Sequence, residues 1–368
     1  MVRRLVALDL PGGSAFVDAL RSVWDRGDAA LPIDQRLPRP ALTELLRTMR
    51  PGRVIDRNGR ESPLRAGQPT ETGDALVVAT SGTTGSPKGV VLTHAAVAAS
   101  AAASSARLEV GPDDHWLACL PLSHVGGLSV VTRALHTGTR LTVLPGFAVD
   151  PVEQAGATLV ALVPTALRRI DPTRFRTILL GGAAAPDALA PNVVTTYGMT
   201  ETGSGIVYDG LPLAGVDLRI SDGEIHVRCP MLLRAYRDGT TPLVDGWFRT
   251  GDAGRLGRDG KLVVEGRIVE LIITGGENVW PGPVEAVLST HPAVADVAVA
   301  GRPDPEWGEV VVAYVVAAED PPKLDELREH VRASLPAFNA PRALVLVDAI
   351  PRTALGKVVR TSLGGPVA

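Results

Sequence analysis

Two cysteines in 368 residues, Cys119 and Cys229, are too few and too far apart for a disulfide framework or a CxxC metal site. That scarcity fits a reducing compartment, and a cytoplasmic location is expected. No run of about 18 apolar residues exists, so membrane insertion is not expected. The opening MVRRLVALDLPGG places two arginines before a short apolar run, but Asp9 and Pro11 interrupt it too early for a leader peptide. Neither sign of charge prevails: Lys and Arg number 37, Asp and Glu 40, and the net charge is −3. Without a basic patch, nucleic acid is not an expected partner. There is also no obvious Ser-His-Asp or Cys-His arrangement.

What is present suits a globular protein of two or three domains, with 45% hydrophobic and 21% charged residues. Helices are expected at Ser14–Arg26 and Pro40–Arg50, with residues 51–72 as loop or edge structure. From Ala75 onward strands and helices alternate. Strands fall at Ala75–Ala79 and near 116–120, 140–144, 158–162 and 177–180, with helices near 94–106 and 126–137. This order predicts an α/β fold of layered, mostly parallel sheets. After about residue 211 the pattern becomes a small antiparallel β region, with a hairpin turn at Ser221-Asp222-Gly223. A tail of about 100 residues then reads as an α+β domain, and the division is placed at 1–266 and 267–368.

Chemistry first shows in Thr80-Ser81-Gly82-Thr83-Thr84-Gly85-Ser86-Pro87-Lys88-Gly89, which follows the strand Ala75–Ala79. Glycines admit backbone N–H groups, hydroxyls donate, and Lys88 adds charge, as a polyphosphate cradle needs. A Walker A loop has Gly before its Lys and Ser or Thr after it; here Pro87 and Gly89 stand there. A Gly/Ser/Thr stretch alone is most often an ordinary loop.

Four further strings follow in order. They are Thr196-Tyr197-Gly198-Met199-Thr200-Glu201-Thr202, Gly246-Trp247-Phe248-Arg249-Thr250-Gly251-Asp252, Gly266-Arg267 with Gly275-Gly276 beyond it, and Pro351-Arg352-Thr353-Ala354-Leu355-Gly356-Lys357. Together the five resemble the motifs of the adenylate-forming superfamily: acyl-CoA synthetases, peptide-synthetase adenylation domains and luciferases. The resemblance covers nearly all of the chain after residue 75. It implies a large N-terminal domain that binds ATP and an acid, and a small mobile C-terminal cap that carries a catalytic lysine.

It also implies an activity: ligation of a carboxylic acid to coenzyme A by way of an acyl-adenylate, with ATP and Mg²⁺. A carboxylate is a poor electrophile, so its oxygen first displaces pyrophosphate at the α-phosphate of ATP. The nucleophile is already an anion, so positioning and charge neutralisation matter more than a general base. By resemblance, Thr80, Ser81, Gly82, Thr83, Thr84 and Lys88 hold phosphates. Gly182, Ala183, Tyr197, Gly198 and Met199 lie beside adenine. Glu201 holds Mg²⁺, with Thr200 among the catalytic residues. Asp252 accepts from the ribose hydroxyls with Arg267 assisting, and Lys357 stabilises the transition state. Losing one such contact costs about 3–4 kcal/mol of barrier. Gly275 and Gly276 line the path of CoA after the cap rotates. Two departures are visible: the hinge position holds Val269, followed by Glu270, and the stretch before the phosphate loop is short.

The acid is addressed by Pro121-Leu122-Ser123-His124-Val125-Gly126-Gly127-Leu128, similar to the family's acid-pocket segment, and by Glu201–Val216. With the compact length and Ala30–Pro38, these resemble the short actinobacterial o-succinylbenzoate–CoA ligases of menaquinone biosynthesis. His124 and Ser204 are then candidates for the distal carboxylate of this keto-diacid, and His124 also counts among the catalytic residues. The alternatives are another aryl- or short acyl-CoA ligase, and an acyl-AMP ligase that does not use free CoA. Whether the chain forms a homo-oligomer is left open.

Overall fold

The structure, a computed structural model, describes every residue except Met1, 82–86, Ala184, Asp187, 353–357 and 364–368. The chain divides into two compact units, one of residues 1–218 and 227–249, the other of residues 219–226 and 250–368. It passes from one to the other along three strands, Asp217–Ser221, Glu224–Arg228 and Trp247–Leu256.

The first unit holds two seven-stranded sheets. In one, Leu5–Leu8 is an inner strand, parallel to both Ala29–Pro32 and Arg53–Ile55. Every residue of Leu5–Leu8 and of Ala29–Pro32 is buried. Strands covered on both faces read as continuous apolar runs, not alternating ones. That is why the LVAL run near the N-terminus, weighed above only as a leader, is a sheet strand. On the far side of Ala29–Pro32 come Asp74–Ser81, Pro87–Thr93 and the short edge strand Ala235–Tyr236, the last two pairings antiparallel. The second sheet runs parallel through Arg140–Val143, His115–Ala118, Leu159–Leu162, Thr177–Leu180 and Val193–Met199. It then turns antiparallel through Ser204–Tyr208.

Two helices lie between the sheets. His94–Arg107 touches strands of both, and Val125–Thr137 packs against it and against the second sheet. The first of these helices is nearly all Ala and Ser, so it takes little lateral room. Thr93 caps it by accepting from Ala96 N–H at 3.1 Å. The expected helices at 14–26, 40–50, 94–106 and 126–137 are observed as Ser14–Asp25, Arg39–Met49, His94–Arg107 and Val125–Thr137.

In the second unit a long hairpin, Val294–Asp304 with Gly308–Ala317, is flanked by Ala343–Leu346 in parallel and by Ile272–Thr274 antiparallel. The period-two alternation sends Val297 and Val299 into one core with Val284, Leu288, Leu327 and Val331 of the helices Pro281–Leu288 and Leu324–Arg332. Ala298, Val312 and Tyr314 face a second cluster with Ile350. The α+β tail is therefore as expected in kind. The compact second unit consists of residues 219–226 and 250–368, while the expected division lay at 266–267.

Candidate active site

In the first unit the strand Asp74–Ser81 leads into the phosphate-loop string and Pro87–Thr93 leads out of it, with Thr80 opposite Lys88 and Ser81 opposite Pro87. Thr80 Oγ1 lies 3.4 Å from the carbonyl of Lys88. Gly82, Thr83 and Thr84 lie outside the described residues. A side chain on Gly89 would approach Met49 Sδ to 2.5 Å and Val77 Cγ1 to 2.9 Å, so any larger residue after the lysine forces its neighbours to shift. The Lys88 ammonium is exposed and sits 5.3 Å from the centre of the Tyr236 ring.

Gly182 and Ala183 follow the strand Thr177–Leu180 and are exposed, Gly182 with a φ of 84°. Beside them, Tyr197, Gly198 and Met199 end the strand Val193–Met199, which shifts register at Tyr197/Gly198. Thr200, Glu201 and Thr202 form one 3-10 turn. The turn is held by Thr202, whose hydroxyl donates to Ser204 O at 2.7 Å and accepts from Met199 N–H at 3.0 Å. Glu201 is half-buried and accepts from the Tyr236 hydroxyl at 3.1 Å. Burial, then the Glu201 charge, push the Tyr236 phenol upward, so it stays a donor. No described residue forms an ion pair with Glu201. An anionic, hard oxygen donor with coordination sites left over suits Mg²⁺, which keeps several other ligands from nucleotide and water.

His124 precedes the helix Val125–Thr137. Burial lowers its pKa, leaving it neutral near pH 7; its Nε2 is 3.8 Å from Asp34 Oδ2 and has no hydrogen bond. Ser204 is buried, and its hydroxyl accepts from Arg133 at 3.2 Å. The sequence reading missed Arg133. It is 1% exposed, donates from Nε to Ser104 Oγ at 2.7 Å, and lies 4.8 Å from the centre of the Trp116 ring. No described carboxylate pairs with it, and its second terminal nitrogen, the Trp116 indole N–H and the Tyr208 hydroxyl have no partner. A buried cation with no carboxylate partner, beside two further unpartnered polar groups, is costly to hold in an apolar layer. The available signal was an arginine inside an apolar helical run, nine positions beyond His124. A small cavity of about 10 Å³ opens between the two middle helices, lined by Leu76, Leu92, Ala96, Ser100, Leu128 and Ser129.

In the second unit Asp252 and Arg267 are directly opposite on neighbouring strands, with Arg267 Nε 3.0 Å from Asp252 Oδ1. Arg267 also donates to Thr250 O at 2.9 Å, and the Thr250 hydroxyl accepts from Asp252 N–H at 3.0 Å. Sequence placed these two residues at one site, and the structure brings them together. Gly275 and Gly276 form the turn between Ile272–Thr274 and Glu277–Val279, with φ of 58° and 84°. Val269 is 81% exposed, and its neighbour Glu270 pairs with Arg360 at 3.2 Å. Lys357 lies outside the described residues.

The AMP-binding enzyme pattern matches residues 56–236, and that of the AMP-binding enzyme C-terminal domain matches residues 283–357. A Mycobacterium tuberculosis protein named "Probable 2-succinylbenzoate--CoA ligase" is 42% identical, over 88% of this chain and 93% of that one. The chain belongs to the AMP-binding enzyme family. Among solved structures of that family, o-succinylbenzoate CoA synthetase (MenE) of Bacillus subtilis with the acyl-adenylate intermediate OSB-AMP matches with a TM-score of 0.89 and 30% identity, over 99% of this chain and 89% of that one. The same synthetase in complex with ATP and magnesium ion matches with a TM-score of 0.86 and 29% identity, over 98% and 90%. The family fold read from the motifs is thus the fold observed.

Proposed function

We propose that this chain is an AMP-forming acid–CoA ligase that converts o-succinylbenzoate to its CoA thioester through an acyl-adenylate, a step of menaquinone biosynthesis. The observation that carries the reading is likeness along nearly the whole length, 93% of a relative bearing that activity in its name. ATP, Mg²⁺ and coenzyme A are its co-reactants. In the first step a carboxylate oxygen bonds to the α-phosphorus and the bond to pyrophosphate breaks. In the second the CoA sulfur bonds to the acyl carbon, AMP leaves, and the thiol proton passes to solvent.

Thr80 and Lys88 meet the phosphates, and Gly182, Ala183 and Tyr197–Met199 offer a flat edge for adenine. Glu201, with Thr200 beside it, holds the cation. Mg²⁺, when bound, neutralises phosphate charge and eases departure of pyrophosphate. Asp252, oriented by Arg267, accepts from ribose hydroxyls. Lys357 donates to the reacting oxygens in the first step. For the second, the C-terminal domain turns about Val269–Glu270 and brings Gly275–Gly276 to the path of CoA. The exposed Val269 leaves that backbone unhindered by packing.

The diacid's other carboxylate is assigned to the Arg133 guanidinium, with the Ser204 hydroxyl and the neutral His124 as further contacts. Among the described residues no helix is long and apolar enough to cross a membrane. Both cysteines are free. A reducing cytoplasm is the proposed setting.

A panel of acids, assayed by pyrophosphate release with products identified by mass, tests the reading. AMP and the o-succinylbenzoate thioester are the expected products. Activity on benzoates or fatty acids but not on o-succinylbenzoate would overturn the substrate. Acyl-AMP accumulating in the presence of CoA would overturn the second step.

A further inference from the structure

The segment Leu233–Arg237 belongs to none of the five motifs, yet it touches two of them. Leu233 N–H donates to the Glu201 carbonyl at 2.7 Å, and the Tyr236 hydroxyl donates to the Glu201 carboxylate at 3.1 Å. The turn that carries Glu201 is thus gripped at backbone and at side chain by one stretch of chain.

That stretch is itself fixed to the sheet edge that bears Lys88. Ala235 and Tyr236 pair with Val91 and Val90. Arg234 N–H donates to Val91 O at 2.9 Å, and Arg237 N–H donates to Gly89 O at 2.7 Å. The Arg237 guanidinium then ties the segment to Met49 O and Pro69 O at 3.0 and 2.8 Å. Beyond Tyr236 the chain turns tightly, with Tyr236 N–H donating to Thr240 O at 2.8 Å. The ring has little freedom. One of its faces meets the Lys88 ammonium at 5.3 Å, within the range of a cation–π contact.

We propose that Tyr236 is a positioning residue that sets the spacing between the Lys88 ammonium and the Glu201 carboxylate, and so places the cation relative to the phosphates. The inference rests on the reading of Glu201 as the Mg²⁺ carboxylate. The hydroxyl and the ring have separable duties: the hydroxyl orients the metal ligand, and the ring supports the phosphate-binding lysine. A bulky apolar residue would fill the same space and do neither.

The test measures ATP binding by thermal shift, first in EDTA and then with MgCl₂ titrated in, on wild type, Tyr236→Phe, Tyr236→Leu and Glu201→Gln. Tyr236→Phe keeps the ring, so its ATP shift in EDTA stays at the wild-type value. The Mg²⁺ concentration that gives half of the further shift rises about tenfold, as for loss of a partner that orients a metal ligand. Tyr236→Leu shows that defect and also weakens ATP binding in EDTA, about threefold. A merely structural tyrosine would lower the melting temperature of the unliganded variants and leave the Mg²⁺ requirement of Tyr236→Phe unchanged; that result overturns the proposal. Should Tyr236→Leu not fold, Tyr236→Phe decides alone. Glu201→Gln is expected to abolish the Mg²⁺-dependent increment. If it does not, the reading of Glu201 fails, and that failure is distinct from a wild-type response in Tyr236→Phe.

Discussion

Replacing Arg133 with Met removes a buried charge and keeps most of the side-chain volume. The guanidinium makes bonds of 2.7 Å to Ser104 and 3.2 Å to Ser204, both neutral hydroxyls, and one terminal nitrogen makes none. Without substrate, then, the charge is desolvated and no carboxylate offsets the cost, and burial lowers its pKa accordingly. Buried charges replaced by apolar groups of like volume are often neutral or stabilising, so Arg133→Met should melt at or above the wild-type temperature. With o-succinylbenzoate present, the variant loses charge-assisted hydrogen bonds worth about 1.5–3 kcal/mol, or about 10- to 150-fold in kcat/KM. The assay is pyrophosphate release with o-succinylbenzoate and with whichever monoacid analogue, lacking one of its carboxylates, is turned over by wild type. The diacid should suffer the full loss and the monoacid almost none. Equal losses on both acids, accompanied by a lower melting temperature, would show Arg133 to be structural and refute the argument.

Lys357→Ala should lower adenylate formation about 100- to 1000-fold, with much less effect on thioester formation from supplied acyl-AMP; equal losses in the two steps would contradict its role. His94, His124 and His136 all have pKa values lowered chiefly by burial from an ordinary 6.5. The unfolded chain therefore binds more protons than the folded one below about pH 6.5, and stability present above that pH is lost as pH falls. Melting temperature should drop between pH 7.5 and 5.5, with a shallower slope in His136→Gln. Gly275→Ala puts a side chain at positive φ and within 2.7 Å of the Trp307 ring. It should cost about 1–3 kcal/mol by urea denaturation.

The parts of the fold that sequence made legible are those with a period. The helix at 125–137 and the long hairpin at 294–317 carry their spacing openly, and the helix at 94–107 is legible from its alanine content instead. Leu5–Leu8 and Ala29–Pro32 are buried on both faces, so nothing alternates, and the segments are too short to separate from other apolar runs. The site was legible where chemistry demands a string. Asp252 and Arg267, 15 positions apart, stand in the ribose and hinge motifs, and antiparallel register sets them opposite each other on two strands. Arg133 and Tyr236 were not legible. Each acts through a neighbour distant in sequence, Ser204 or Glu201, and neither sits in a glycine-rich string that betrays a ligand. Lysine is scarce in this chain: only four exist, and Lys88 and Lys357 are two of them.

The helix from His94 to Arg107 has a consequence for what this scaffold could become. Ala96 and Ser100 form part of the wall of the small interior void, and neither has a long side chain to withdraw. The helix has therefore already been pared to near its minimum, and further room must come from larger neighbours such as Leu76, Leu92 or Leu128. A single enlargement along the alanine face should therefore fill the void, whereas widening it requires trimming those leucines.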